Sequence, residues 1–289
     1  MVDVSSSVVA EEEGTAGWRR KRRNAFLWIG ATLLAVFIVI AIFGRVLAPY
    51  DPLAQDLLAL LDPPSSAHWF GVDGVGRDIL SRLLVGTRTT LLIAVLSITI
   101  AGVFGVAFGL ISGYFGGLTD RVITALMDLL LTIPSMVLAI AIVAAVGASA
   151  TGLTVAITVS FIPPLSRLVR GRVMELREED YISAARTIGM SRARLLVRHL
   201  LPNAISVIVI ELSLLAGQAV LVGSALGFLG LGVQPPDPEW GAMLGASREY
   251  LAVAPHLVIA PGIAISLLVF AFNALGDGLR DRFDPNQSA

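Results

Sequence analysis

The chain has 289 residues, 55% of them hydrophobic and only 15% charged, with a mean hydropathy of +0.80. Soluble domains carry roughly 25% charge, so this composition reads as a membrane protein, and the net charge of −1 excludes a broad phosphate-seeking surface for nucleic acid. The absence of cysteine excludes disulfides, thiolate metal sites and cysteine nucleophiles. In chain order, residues 1–24 read as a cytoplasmic tail. Its first seventeen residues are acidic and Ser-rich, as in disordered segments, and it ends in the basic WRRKRRN. The next run, FLWIGATLLAVFIVIAIFG, exceeds the ~7–15 apolar residues of a signal-peptide core, so it reads as an uncleaved first span at 25–44. Residues 45–89 form a long loop punctuated by APYDP and LDPPSS.

Five further stretches reach the length of about 20 apolar residues that a bilayer requires. They lie near Thr90–Ser112, Val122–Gly147, Gly152–Val169, Asn203–Phe228 and Leu251–Leu275. The expected fold is therefore an all-α membrane protein of six transmembrane helices. A core at 90–276 holds a polar loop at about 170–201, and 277–289 forms a second tail.

Six spans put both termini on one side of the membrane. With that side cytoplasmic, it collects the basic residues of the tail, Arg121, the eight from Arg167 to Arg198, and Arg280 and Arg282, against five on the other side. This follows the positive-inside bias. Only Lys21 of the 21 basic residues is a lysine, which reads as codon usage.

Within the spans, Gly105, Gly109, Gly113 and Gly117 step by four and form a stripe for close helix approach. Asp128 and Glu211 are ionisable groups in apolar runs, where such groups are costly and serve as functional candidates. Arg121 lies two turns from Asp128 on the same face, so a structural pairing with it or anchoring at the inner interface is expected. Glu211 either faces a pathway or bonds a neighbour. Pro134 and Pro163-Pro164 are expected to kink or end their helices.

The polar segment EEDYISAARTIGMSRARLLVRHLLPN, residues 178–203, has helical periodicity at Ile182, Ala185 and Ile188, then at Ala193, Leu196 and Leu200. Gly189 and Pro202 punctuate it, predicting two short helices meeting at Gly189. Ala184 and Ala185 offer a small-side-chain patch for a partner protein. From the residues alone, a basic helix lying on anionic lipid is equally compatible.

The frame Ser183-Ala184-Ala185, three residues, Gly189, nine residues, His199-Leu200-Leu201-Pro202 resembles the "EAA" loop of bacterial ABC importer permeases. Ser183 stands for the glutamate and His199 for the isoleucine. HWFGVDGVGRDILSRLLVGTRTTL (68–91), LGFLGLGVQPPDPEWGAMLG (226–245) and FNALGDGLRDRFDP (272–285) are similar to the "C"-type permeases of dipeptide, oligopeptide and nickel importers. A glutamate expected just before the second of these stretches is absent, with Gly223-Ser224 in its place.

The resemblance implies the type I importer permease fold, with a coupling helix docking on an ATPase. The docking residues it implies are Asp180, Tyr181, Ser183, Ala184, Ala185, Gly189 and Pro202. It also implies import of di- or oligopeptides, with nickel chelates or other small solutes as the alternative. The implied partners are a second homologous permease, two ATPase subunits or domains binding ATP and Mg, and an external solute-binding protein at the cytoplasmic membrane. Glu211 is the pathway candidate.

No reaction chemistry is legible in the chain, and no cofactor or metal is expected in it. The lone lysine lacks a phosphate loop before it, and VDGVG at 72–76 reads as a turn. His68, His199 and His256 are scattered, Asp73–Asp78 lacks the terminal glutamate of a calcium loop, and LGASRE is not a serine elbow. An ion-driven secondary transporter, which would show broken helices and an internal repeat, and a scaffold that anchors a partner remain as rival classes.

Overall fold

A computed structural model describes residues 4–283, with side chains from Ala25 to Phe283. It contains α1 (Val4–Leu47), α2 (Ile79–Phe115), α3 (Gly117–Leu131), α4 (Ser135–Val146), α5 (Ala150–Arg177), α6 (Asp180–Thr187), α7 (Arg192–Leu195), α8 (Leu201–Phe228), α9 (Trp240–Ser247) and α10 (His256–Phe283). The disordered tail expected at 1–24 is instead helical from Val4, where α1 begins, and the apolar crossing within α1 is Ala25–Leu47. Among the described residues, five helices are long and apolar enough to cross a membrane, or six if α3 and α4 count as one bent span.

The third span is not straight. The α3 and α4 axes diverge by 89° at Thr132–Pro134, because Pro134 takes an extended ψ of 130° and has no N–H to continue α3. Pro163 and Pro164, in contrast, lie inside α5 without ending it.

Helix α2 begins at Ile79, eleven residues ahead of the span expected from hydropathy. Asp78 caps it, accepting from the Ser81 amide at 2.7 Å and from the Ser81 hydroxyl at 2.7 Å, so a polar first turn is made helical by its cap. Helix α10 likewise starts at His256 rather than Leu251, since Arg248–Tyr250 form a separate 3-10 turn.

The spine of the bundle is α2 against α5. A Cβ placed at Gly105 would lie 3.0 Å from Leu165, one at Gly109 2.6 Å from Val169, and one at Gly113 2.9 Å from Val173. These steps of four on both helices let the two backbones approach closely, the geometry through which dispersion holds helices together in lipid. Gly117 leaves the expected stripe: α2 has already ended, and Gly116 and Gly117 both have positive φ, 63° and 56°. Around this spine, α1 packs on α10 and α10 on α8.

The second short helix expected after Gly189 is instead continuous with a span. Residues Arg192–Phe228 run as one 37-residue helical stretch, containing a π turn at Leu196–Leu200. Pro202 lies two residues past the end of that turn. Widening the helix there accommodates a residue that lacks an N–H and crowds the preceding turn.

Candidate docking and coupling site

Helix α6 is eight residues long and stands between α5 and the long helix begun by α7. It ends in a Schellman motif. The Gly189 amide donates to Arg186 O at 3.0 Å and the Met190 amide to Ala185 O at 3.2 Å, with Gly189 at φ +79°. That left-handed position is where glycine carries no Cβ penalty.

Ile182 and Ala185 face inward, at 0% and 6% exposure. Asp180, Tyr181, Ser183, Ala184 and Gly189 are exposed. The expected Ala184–Ala185 patch is therefore divided: Ala184 is available to a partner, whereas Ala185 belongs to the chain's own core. Ile188, expected on the same apolar face as Ile182, is 79% exposed, because the helix has unwound into the Gly189 turn. With Tyr181 and Ala184 it forms an open apolar edge on α6. Pro202 is exposed but sits beyond the π turn, on a different element from α6.

The arginine-rich end of the bundle holds a network that sequence reasoning missed. Asp120 of α3 receives Arg170 of α5 through two bonds, Nε to Oδ1 at 2.5 Å and Nη2 to Oδ2 at 2.7 Å. Ser112 of α2 and Thr124 of α3 also donate to this carboxylate, and Arg177 donates to Gly113 O at 3.3 Å. Two turns further along α3, Asp128 pairs with Arg167 at 2.5 Å rather than with Arg121, which is exposed. Asp120, Thr124 and Asp128 step by four along α3, and Arg167 and Arg170 lie three apart on α5. That spacing was the available signal, but only the antiparallel packing of α3 on α5 selects the partners.

Two aromatic residues close α2 at this end. The Arg186 guanidinium of α6 lies over the Tyr114 ring at 5.4 Å, and the Arg192 guanidinium of α7 lies over Phe115 at 5.8 Å. Both fall within cation–π range. The two rings meet edge to face at 5.2 Å.

At the opposite end of α2, the short α9 is fastened between helices. Trp240 Nε1 donates to Leu83 O at 3.0 Å, and the Trp240 amide to Thr90 Oγ1 at 3.2 Å. Glu239 caps α9, accepting from the Gly241 and Ala242 amides, both at 2.8 Å, and from Thr90. Burial pushes the Glu239 carboxyl up, opposed by those three donors.

Nearby, Asp73 accepts from the Val75 and Arg77 amides and from Arg77 Nε, so VDGVG is a closed turn. A cavity of about 140 Å³ opens there between Arg77, Arg82, Asp237, Met243 and Tyr250. His68 bonds Asp78 at 2.9 Å, and His256 presents a buried, unpartnered Nε2 close to Gly71. Among the described residues no three His, Cys, Asp or Glu side chains are grouped to hold a metal ion. Glu211 is half-buried on α8, and among the described residues no hydrogen bond or ion pair engages it.

A helical bundle with a bent third span and a short exposed helix between its long ones is an all-α membrane-spanning architecture. The chain belongs to the family of binding-protein-dependent transport system inner membrane components, whose model matches residues 105–288. The N-terminal TM domain of oligopeptide transport permease C matches residues 15–64. The chain is 43% identical to the glutathione transport system permease protein GsiD of Pectobacterium atrosepticum, over 93% of this chain and 89% of that one. It is 42% identical to the dipeptide transport system permease protein DppC of Alkalihalophilus pseudofirmus, over 94% and 90%. In fold it is similar to a chain of the inward-facing MetNI methionine ABC transporter, with a TM-score of 0.58 and 20% identity over 70% of this chain and 97% of that one. It is thus a multi-pass inner-membrane permease subunit of the ABC importer class.

Proposed function

We propose that this permease forms half of a pathway importing dipeptides or oligopeptides, glutathione-like peptides included, driven by ATP hydrolysed on partner subunits. The similarity to GsiD and DppC over nearly the whole length of each carries the cargo class. The lone lysine, outside any phosphate loop, supports assigning ATP and Mg to those partners. In this reading both termini and α6 face the cytoplasm, in keeping with the basic bias. A second, homologous permease completes the pathway, and an external binding protein delivers cargo to the end that carries α9.

The exposed edge Tyr181–Ala184–Ile188, beside Asp180 and Ser183, is the surface on which the ATPase docks. Closure of the ATPases does work on the bundle only if docking energy differs between inward and outward states. Glu211, the candidate acid along the pathway, would meet a peptide's amino group.

The test is affinity capture of the intact chain from native membranes, with partners identified by mass spectrometry, beside Ala184→Glu. The expected result is that ATPase subunits and a second permease accompany the intact chain and that the ATPases are lost from the variant. Absence of any ATPase from the intact chain under several mild detergents would leave α6 as a lipid-surface helix and overturn the docking assignment.

A further inference from the structure

Helix α6 has slender attachments to the bundle. It packs on α5, buries Ile182 and Ala185, and is followed by the left-handed Gly189. A helix so held passes displacement through its short chain links to α5 and α7 and through its side-chain contacts. One such contact is Arg186 over Tyr114, and the matching contact from the next element is Arg192 over Phe115.

Tyr114 and Phe115 are the last two residues of α2, and Gly116 and Gly117 with positive φ end the helix directly behind them. Helix α2 has 37 residues, about 55 Å at 1.5 Å per residue. Its inner end is locked to α5 by the close approach at Gly109 and Gly113 and to Asp120 through Ser112. Its far end carries the Leu83 and Thr90 bonds to Trp240 and Glu239 of the α9 segment. A single rod thus runs from the docking helix to α9.

Resting on the importer reading above, we propose that Tyr114 and Phe115 are positioning residues. They transmit displacement of α6 into α2 and through it to α9, so that their aromatic faces set how much transport accompanies each ATP hydrolysed. Their role is conversion of motion, distinct from holding the ATPase, which falls to the exposed edge of α6.

The experiment uses the full complex, purified with its ATPases and reconstituted into liposomes, with radiolabelled dipeptide, the binding protein and ATP. Uptake and phosphate release are measured together for the intact chain, for the Tyr114→Leu, Phe115→Leu double variant, and for Tyr114→Phe. Leucine keeps apolar bulk but removes the ring face, and losing two such contacts predicts a fall in peptide per ATP on the order of tenfold. ATP hydrolysis and ATPase capture are expected to stay near the intact level, and Tyr114→Phe is expected to keep the intact ratio.

An unchanged ratio in the double variant would overturn the inference. So would a parallel loss of uptake, hydrolysis and ATPase capture in all the variants, which would mark the rings as structural only. If the intact chain itself captures no ATPase, the importer reading has failed and this inference falls with it, a result distinguishable from the others because it precedes any substitution.

Discussion

Asp120 and Arg170, fifty residues apart in the chain, meet in a two-point ion pair that ties α3 to α5 where α2 ends. Both side chains are mostly shielded, at 19% and 29% exposure. Removing one partner strands the other in a partly desolvated site. Asp120→Asn should therefore lower stability by about 1–2 kcal/mol, between the values for exposed and fully buried pairs. Arg170→Lys should also cost stability, since an ammonium cannot reproduce the fork geometry. Unfolding midpoints of the purified permease in detergent check both.

The glycines of the long helices differ in what surrounds them, so the same substitution should have different effects. A Cβ at Gly109 would lie 2.6 Å from Val169 Cβ and 2.7 Å from Ser166 O, whereas one at Gly262 of α10 meets nothing within 4 Å. Gly109→Ala should push α2 off α5 at a cost of about 1–3 kcal/mol. Gly262→Ala should be neutral or mildly stabilising, since alanine is the better helix former. Thermal unfolding of the two variants side by side decides it.

Adjacent alanines on α6 should separate docking from folding. Ala184 is exposed and Ala185 is buried. Ala184→Glu should leave a monodisperse permease that fails to capture ATPase. Ala185→Glu should destabilise the chain itself by burying an unpaired charge. Size-exclusion profiles together with affinity capture distinguish the two outcomes.

Glu239 makes stability depend on pH in a definite direction. Burial raises its carboxyl above the ordinary value of 4.5, so the folded state favours the protonated form. Stability should be highest below that value and decline as pH rises through the folded pKa. Glu239→Gln should flatten this slope and also weaken the α9 cap, because an amide has a single acceptor oxygen for the donors at Thr90, Gly241 and Ala242. Unfolding midpoints from pH 4.5 to 7, in intact chain and variant, test the sign.

Glu211 is half-buried, and among the described residues it has no hydrogen-bonding or ionic partner. Glu211→Gln should accordingly cost no stability, while reducing uptake of peptides with a free amino terminus more than that of N-acetylated ones. Equal uptake of both by the variant would remove the carboxylate from the pathway.

Hydropathy and spacing by themselves determined the membrane class, the crossings apart from their ends, the helix at 180–187 and the turn at Gly189. Each of these follows from local terms: about 20 apolar residues span a bilayer, and a left-handed C-cap selects glycine. The family resemblance was legible for the same reason, since its frame is contiguous in sequence.

Tertiary structure decided the rest. Pro134 marked a break in the third span, but neither it nor hydropathy gives a direction, and only the structure sets the 89° divergence of the two helices. Periodicity grouped Ile182, Ala185 and Ile188 on one face, but the bundle lies against only the first two, and the end of α6 turns the third outward. Arg121 was the near candidate for Asp128 by chain distance, yet Arg167 lies across the α3–α5 contact and takes the pair. The Asp128 pairing depends on which surface a distant helix covers, and helix placement of that kind is set by close approaches such as Gly109 to Val169 rather than by neighbours in sequence.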